Sequence, residues 1–303
     1  MSKTAVCGMC GLEYDPEDGL VHDKDGNGNE MCYDCTMKIR NAVPEELGGA
    51  PEETPMRDTK GLNYIEVEEA KLLLDVLSPI KGVCGKDADL LVRTTAEGLS
   101  IVMSDQARAS EIEVQVDLGH EDIIAHEIAD ATVCVSLEKV MAVVKTFGTE
   151  EVIIAAEGSD LIIQSKTATW RIPQITTADR PKLHAATFPS NGSACVPLSA
   201  MRRILFGEDM AEVFVIELQD RMCRMTAESE SGREMLTVRA EQTASADFPV
   251  RSQFGYDVIG DVVSKIRIDP ERSLDVDLMD RGPMEIRWTQ GAASIRAVFA
   301  PRN

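Results

Sequence analysis

The chain has 303 residues, 44% of them hydrophobic, and its 31 basic and 52 acidic side chains give a formal net charge of −21. That length and apolar content support two domains with cores of their own and exclude a disordered protein. No apolar run is long enough to span a bilayer and the opening MSKTAVCGMC lacks the apolar core of a secretory signal, so an intracellular, cytoplasmic protein without membrane contact is expected. A uniformly negative surface repels phosphate, yet net charge does not describe distribution: a shell that is acidic outside and basic inside can enclose DNA. The acidity and the excess of Arg over Lys also fit a protein made in high salt.

Two C-x-x-C pairs, Cys7 with Cys10 and Cys32 with Cys35, stand a hairpin-sized interval apart, with Gly26, Asn27, Gly28 and Asn29 marking a turn between them. Each pair can aim two thiolates at one point, and four such ligands complete the tetrahedral shell of a structural Zn(II) site. CGMCGLEYDPEDG also resembles the first knuckle of rubredoxin, in which four sulfurs hold iron; CYDCT lacks the second knuckle's C-P-x-C-G pattern. Asp23, Asp25 and Asn27 resemble the start of an EF-hand loop, but Cys32 falls inside it and Asp34 stands where the closing Glu belongs, which disfavours calcium. So small a module has little core, and metal binding would supply its folding free energy. Its surface is acidic, which argues for a protein contact over a phosphate one. Residues 1–40 are read as this zinc module and 41–62, which include VPEELGGAPEETP, as an acidic flexible linker.

The segment 63–180 is read as a first large domain. EVEEAKLLLDVLSP predicts a helix with Ala70, Leu73, Val76 and Leu77 on one stripe and Lys71 across from them. Strands are predicted at Asp89–Arg93, Leu99–Met103, Glu111–Val116 and Ala131–Val135. SLEKVMAVVKTF predicts a second helix, its stripe of Leu137, Val140, Met141, Val144 and Phe147 backed by Lys139, Ala142 and Thr146. Three more strands follow, at Glu151–Ala156, Leu161–Lys166 and Thr167–Gln174. Helices laid on sheets make the fold class α+β.

AEGLSIVMSDQARASEIEVQV is similar to the segment of archaeal and eukaryotic sliding clamps, the PCNA family, that reads DGLxIRAVDxxNVAMVDL, with Asp105 matching its Asp and Gly98, Leu99 and Ile101 the hairpin before it. The helix SLEKVMAVVKTF falls where such clamps carry the second helix of their first domain. After an irregular connector, 181–195, the pattern restarts in a second domain at 196–303. It has a helix at Leu198–Phe206, strands at Val213–Leu218, Met222–Ala227 and Glu234–Ala240, and a helix at Tyr256–Ile266. SQFGYDVIGDVVSKI resembles the clamp segment SLFSLDYLKDMVKAI, and the closing VFAPRN resembles the family's YxLAPRI.

The resemblance implies two similar domains, antiparallel sheets with helices on one face, closed as a homotrimer into a ring around duplex DNA. It implies a DNA polymerase processivity factor that a clamp loader places and that other clamp-binding proteins share. Sequence-independent phosphate contact would fall to Lys71, Lys139, Lys145, Arg202, Arg203 and Lys265. A partner-peptide pocket would combine Ser104, Arg108, Leu183, Phe188, Val298, Phe299, Ala300 and Pro301. Clamps of this family usually carry apolar or His groups where Ser104 and Arg108 stand, so partner specificity is expected to differ. The chain offers no nucleophile elbow, P-loop or dinucleotide fingerprint, and His22, His120, His126 and His184 stand apart, so no catalytic activity is expected. Two other readings stay open, an iron-binding redox protein built on the cysteine module and a processivity factor that holds DNA without forming a ring.

Overall fold

The computed structural model describes residues 63–302, except 86, 96–97, 106, 108, 176–186, 208–210, 220, 230–232, 241–244 and 247, together with 5–6 and 13–14. The chain forms two compact units, Met1–Glu52 and Glu53–Asn303. In the first, β1 (Ala5–Val6) pairs antiparallel with β2 (Glu13–Tyr14). Cys7 and Cys10 belong to the sequence that joins these strands, and the four cysteines lie outside the described residues.

The second unit states one plan twice. Its first repeat runs β3 (Asn63–Val67), α1 (Ala70–Cys84), β4 (Asp89–Thr95), β5 (Gly98–Ser104), β6 (Ser110–Val116), β7 (Ile123–Glu127), β8 (Ala131–Ser136), α2 (Leu137–Phe147), β9 (Val152–Glu157), β10 (Asp160–Gln164) and β11 (Thr169–Pro173). The second runs β12 (Gly192–Pro197), α3 (Leu198–Leu205), β13 (Val213–Gln219), β14 (Met222–Glu228), β15 (Glu234–Ala240), β16 (Ser245–Ala246), β17 (Val250–Gly255), α4 (Tyr256–Val263), β18 (Ser273–Leu278), β19 (Met284–Gln290) and β20 (Ala293–Phe299). Strand, helix, five strands, helix, three strands: the order is the same in both. Predicted boundaries move. β12 begins inside the span that composition assigns to the connector, the helix predicted at Tyr256–Ile266 ends at Val263, and Val67, near the start of the predicted first helix, turns into the core with Ile65 as part of β3.

The sheets repeat as well. The first repeat has a five-stranded sheet ordered β11-β10-β9-β3-β7, and the second has its counterpart, β16-β12-β18-β19-β20. The first repeat's four strands β6-β5-β4-β8 correspond to the second's β15-β14-β13-β17. At the centre of the unit β20 pairs with β6 from Ala293↔Val116 to Phe299↔Ser110, and this seam fuses two of the sheets into one of nine strands. Arg296 on β20 holds Glu285 on the neighbouring β19 at 2.6 Å and, across the seam, Glu113 on β6 at 3.5 Å.

Hydrophobic periodicity accounts for the helices. Leu137, Val140, Met141, Val144 and Phe147 are all buried, as their stripe predicts, and Val143 joins them. Burying six such side chains contributes on the order of 10 kcal/mol before the entropy of ordering is set against it. Ser136 caps the helix, its Oγ accepting from Lys139 N at 3.3 Å. Of the scattered cysteines expected to be buried hydrophobes, Cys134 and Cys223 are, while Cys84 and Cys195 are half-buried. Burial pushes the Cys84 and Cys223 thiols up to about 12, with Asp105 adding to the shift at Cys84.

Pro79 does not end α1, which continues to Cys84. Proline cannot donate the bond that Asp75 O would receive from residue 79. Gln290, 4% exposed, fills that place from the second repeat: its Nε2 donates to Asp75 O at 2.6 Å while its Oε1 accepts from Arg267 N at 2.8 Å. Gln290→Leu leaves both backbone groups unsatisfied and is expected to cost about 2 kcal/mol, read as a lowered midpoint in urea denaturation.

Candidate nucleic-acid interface

The four helices among the described residues lie side by side. α1 packs against α2 within the first repeat and against α4 of the second, and α4 packs against α3, giving the row α2-α1-α4-α3. The α1–α4 contact crosses between repeats and is close, because Gly82 lacks a side chain. A Cβ there would stand 2.9 Å from Asp261 O and 3.2 Å from Val262 Cα. The row buries one face against the sheets and leaves the other open.

On that open face α1 presents Lys71 and Lys81, both exposed, with Leu74, Asp75 and Ser78 half-buried between them. At 1.5 Å per residue the two lysines are spaced about 15 Å along the helix. Burial pushes the Asp75 carboxyl above its usual value, and nearby Lys71 and Arg267 act against the shift. α2 presents Lys145, Thr146 and Glu138 as exposed groups, and Lys139 beside them is half-buried. Lys145 is thus more open than Lys139, although the apolar stripe sets Lys139 on the opposite face of the helix.

The second repeat's half of the row differs. Arg203 on α3 is exposed, but Arg202 is committed to structure, its Nη2 donating to Ile266 O at 2.6 Å. It joins Arg267, whose Nη1 donates to Ser264 O at 2.8 Å, in satisfying carbonyls just beyond the C-terminus of α4. Arg202 is therefore withdrawn from the open face. α4 itself exposes Asp257, Val258 and Asp261, with Lys265 half-buried after it, so the row is basic on α1 and α2 and acidic on α4. Lys81 is the residue that reading the sequence missed. Pro79 reads as a helix terminator, and only the Gln290 contact from the other repeat shows why the helix goes on to present Lys81.

The expected partner-peptide residues separate. Ser104 ends β5, and the following turn is organised by Asp105, whose Oδ1 accepts from Ala109 N at 2.7 Å and whose Oδ2 accepts from Ser110 Oγ at 3.1 Å. The C-terminal tail meets this turn, with Ala300 N donating to Ala109 O at 2.7 Å, and then crosses to β17, with Arg302 N donating to Gln253 O at 2.7 Å. Ala300 is exposed, Pro301 and Phe188 are half-buried, and Val298 is buried on the face of β20 opposite Phe299. Phe299 is 1% exposed and belongs to the core, because the alternation of β20 turns it inward with Ile295 and Ala297; it cannot line a surface pocket. Arg108 and Leu183 lie outside the described residues. His126 stands exposed on β7, and His120 pairs with Asp122 at 3.2 Å. No helix among the described residues is long and apolar enough to cross a membrane.

No family profile and no curated protein matches the chain. Solved structures do. PCNA of A. fulgidus, bound to the C-terminal region of FEN-1, superposes with a TM-score of 0.68 at 16% identity, covering 79% of this chain and 98% of its own. PCNA of Entamoeba histolytica gives 0.69 at 12% identity, covering 80% and 99%. The PCNA2–PCNA3 complex of Sulfolobus tokodaii gives 0.67 at 14%, covering 79% and 99%. At such identities the likeness speaks for architecture alone, and by that measure this chain has the fold of a PCNA sliding clamp.

Proposed function

We propose that copies of this chain join head to tail into a closed ring that duplex DNA threads, and that the ring tethers a DNA polymerase and other clamp-binding proteins as a non-catalytic processivity factor. The observation that carries this reading is the seam. Within the chain, the last strand of one five-stranded sheet, β20, pairs with the last strand of a four-stranded one, β6. Their counterparts, β11 and β15, are edge strands of their own sheets. Pairing β11 of one copy with β15 of the next repeats the internal seam, adds α2 beside α3 to continue the helix row, and removes two exposed edges. With three copies the ring contains six repeats, the number the clamp resemblance implies. The open faces of the helices then line its hole, where Lys71, Lys81, Lys139, Lys145, Arg203 and Lys265 meet phosphate without reading sequence. Partner peptides are assigned to the surface where Ala300 and Pro301 meet the turn after Ser104.

The same proposal places one structural zinc on Cys7, Cys10, Cys32 and Cys35. Four thiolates from two C-x-x-C pairs fit a closed tetrahedral site, with no open position for catalysis. Native mass spectrometry tests both parts. The expected species is three times the 33.1 kDa chain with one zinc per chain; a monomer sinks the ring, and iron in place of zinc revives the redox reading of the cysteine module. Retention on nicked circular duplex, with loss from linear duplex of equal length, is expected of a ring that encircles DNA.

A further inference from the structure

We infer that the first repeat holds a preformed site for one small apolar molecule, of the size of a monocyclic aromatic, in a cavity beneath α1. The cavity measures about 150 Å³ and lies between α1 and the two sheets of that repeat, with Leu73, Val76, Leu90, Ile101, Ile154 and Ala156 on its wall. Four of the polar side chains on the wall, those of Asn63, Thr94, Asp122 and Gln290, are already engaged. Asn63 Oδ1 accepts from Ala129 N, Thr94 Oγ1 donates to Ala129 O at 2.7 Å, Asp122 pairs with His120, and Gln290 is held by Asp75 O and Arg267 N. A space of this size with so apolar a wall favours apolar guests over water, which would find few hydrogen-bonding partners there.

The second repeat shows what a filled version looks like. Ala70 N bonds Glu150 O where Leu198 N bonds Arg272 O, which aligns α1 with α3 and β9 with β18. On that alignment Ala156, opposite Asn63, corresponds to Leu278, opposite Gly192, and Leu278 is fully buried. Leu73 and Val76, only half-buried, correspond to Met201 and Ile204, which are fully buried. Ala131, paired with Thr94, likewise corresponds to Val250, paired with Leu218. The first repeat therefore carries smaller side chains at two wall positions, and the α1 residues over them, Leu73 and Val76, are less buried than their counterparts. A guest in the cavity fills the space those side chains leave and seats α1.

The test uses benzene as the probe on the full-length chain, read by thermal melting and by amide hydrogen exchange. Benzene is expected to raise the melting temperature saturably by roughly 2 °C and to slow exchange along α1. Ala156→Leu, which installs the second repeat's residue, is expected to raise the melting temperature without benzene and to abolish the benzene response. Ala131→Val is expected to weaken that response and serves as the filled variant should Ala156→Leu fail to fold. Absence of a saturable shift in the wild-type chain, or a shift of equal size in the filled variant, overturns the assignment. None of these readouts depends on DNA or on ring assembly.

Discussion

Leucine at Gly82 will destabilise the chain by about 3 kcal/mol or more, a fall of roughly 6–12 °C in melting temperature. The cause is local and specific. The atoms nearest a side chain at this position are backbone atoms of α4, Asp261 O and Val262 Cα, which cannot rotate aside. α1 and α4 would have to separate, and with them the two repeats that they join. Alanine makes the sharper test, because helix propensity alone favours Ala over Gly by about 1 kcal/mol. At Gly82 the clash outweighs that gain and Gly82→Ala is expected to lose about 1 kcal/mol. At Gly260, on α4, a Cβ would meet nothing nearer than Phe206 Cε1 at 3.9 Å, so Gly260→Ala is expected to gain about 0.5–1 kcal/mol. Urea denaturation of both variants checks the pair. Equal gains would show that the helices can part freely and that the close approach is not a constraint.

Reversing the charge of Lys71, Lys81 and Lys145 together, each to Glu, is expected to weaken retention on circular DNA by roughly 100-fold or more, because every reversal removes an attraction to phosphate and adds a repulsion in all copies of the ring. The salt dependence should flatten as well, its logarithmic slope falling by about one for each phosphate that a lysine no longer neutralises. All three side chains are exposed, so the melting temperature is expected to stay within a few degrees of the starting protein. Arg202→Met provides the contrast. It removes a donor to Ile266 O, so its main effect is expected on stability, with DNA retention changed little among molecules that remain folded. Undiminished retention in the triple variant would take α1 and α2 out of the interface. A matching loss in Arg202→Met would return that residue to it.

In the proposed ring, the exposed Asp257 and Asp261 of α4 would repel phosphate in the half of each subunit that the second repeat supplies, while the lysines of α1 and α2 would attract it in the other half. Attraction would then be concentrated on the first repeats, leaving a duplex loosely held and free to move.

The amino-acid sequence by itself determined the periodic parts of this protein. Apolar spacing of 3.6 marked α2, turn residues marked the hairpin of β4 and β5, alternation marked β6, and the restart after the connector marked a second run of the same elements. Those features are legible because each is set by neighbours within one element. Lys71 was legible for the same reason, as a cation across from an apolar stripe.

Tertiary structure decided what depends on residues far apart in the chain. The continuation of α1 through Pro79 rests on the bond from Gln290 to Asp75, 215 positions apart, and with it the exposure of Lys81. The withdrawal of Arg202 rests on Ile266 O, and the close crossing of α1 and α4 on a glycine whose only signature in sequence is its lack of a side chain. The β20–β6 seam is likewise invisible to local pattern, since either strand would alternate in the same way with any antiparallel partner. Local physics chose the elements; long-range hydrogen bonds and one close backbone approach chose how they meet and which charges face outward.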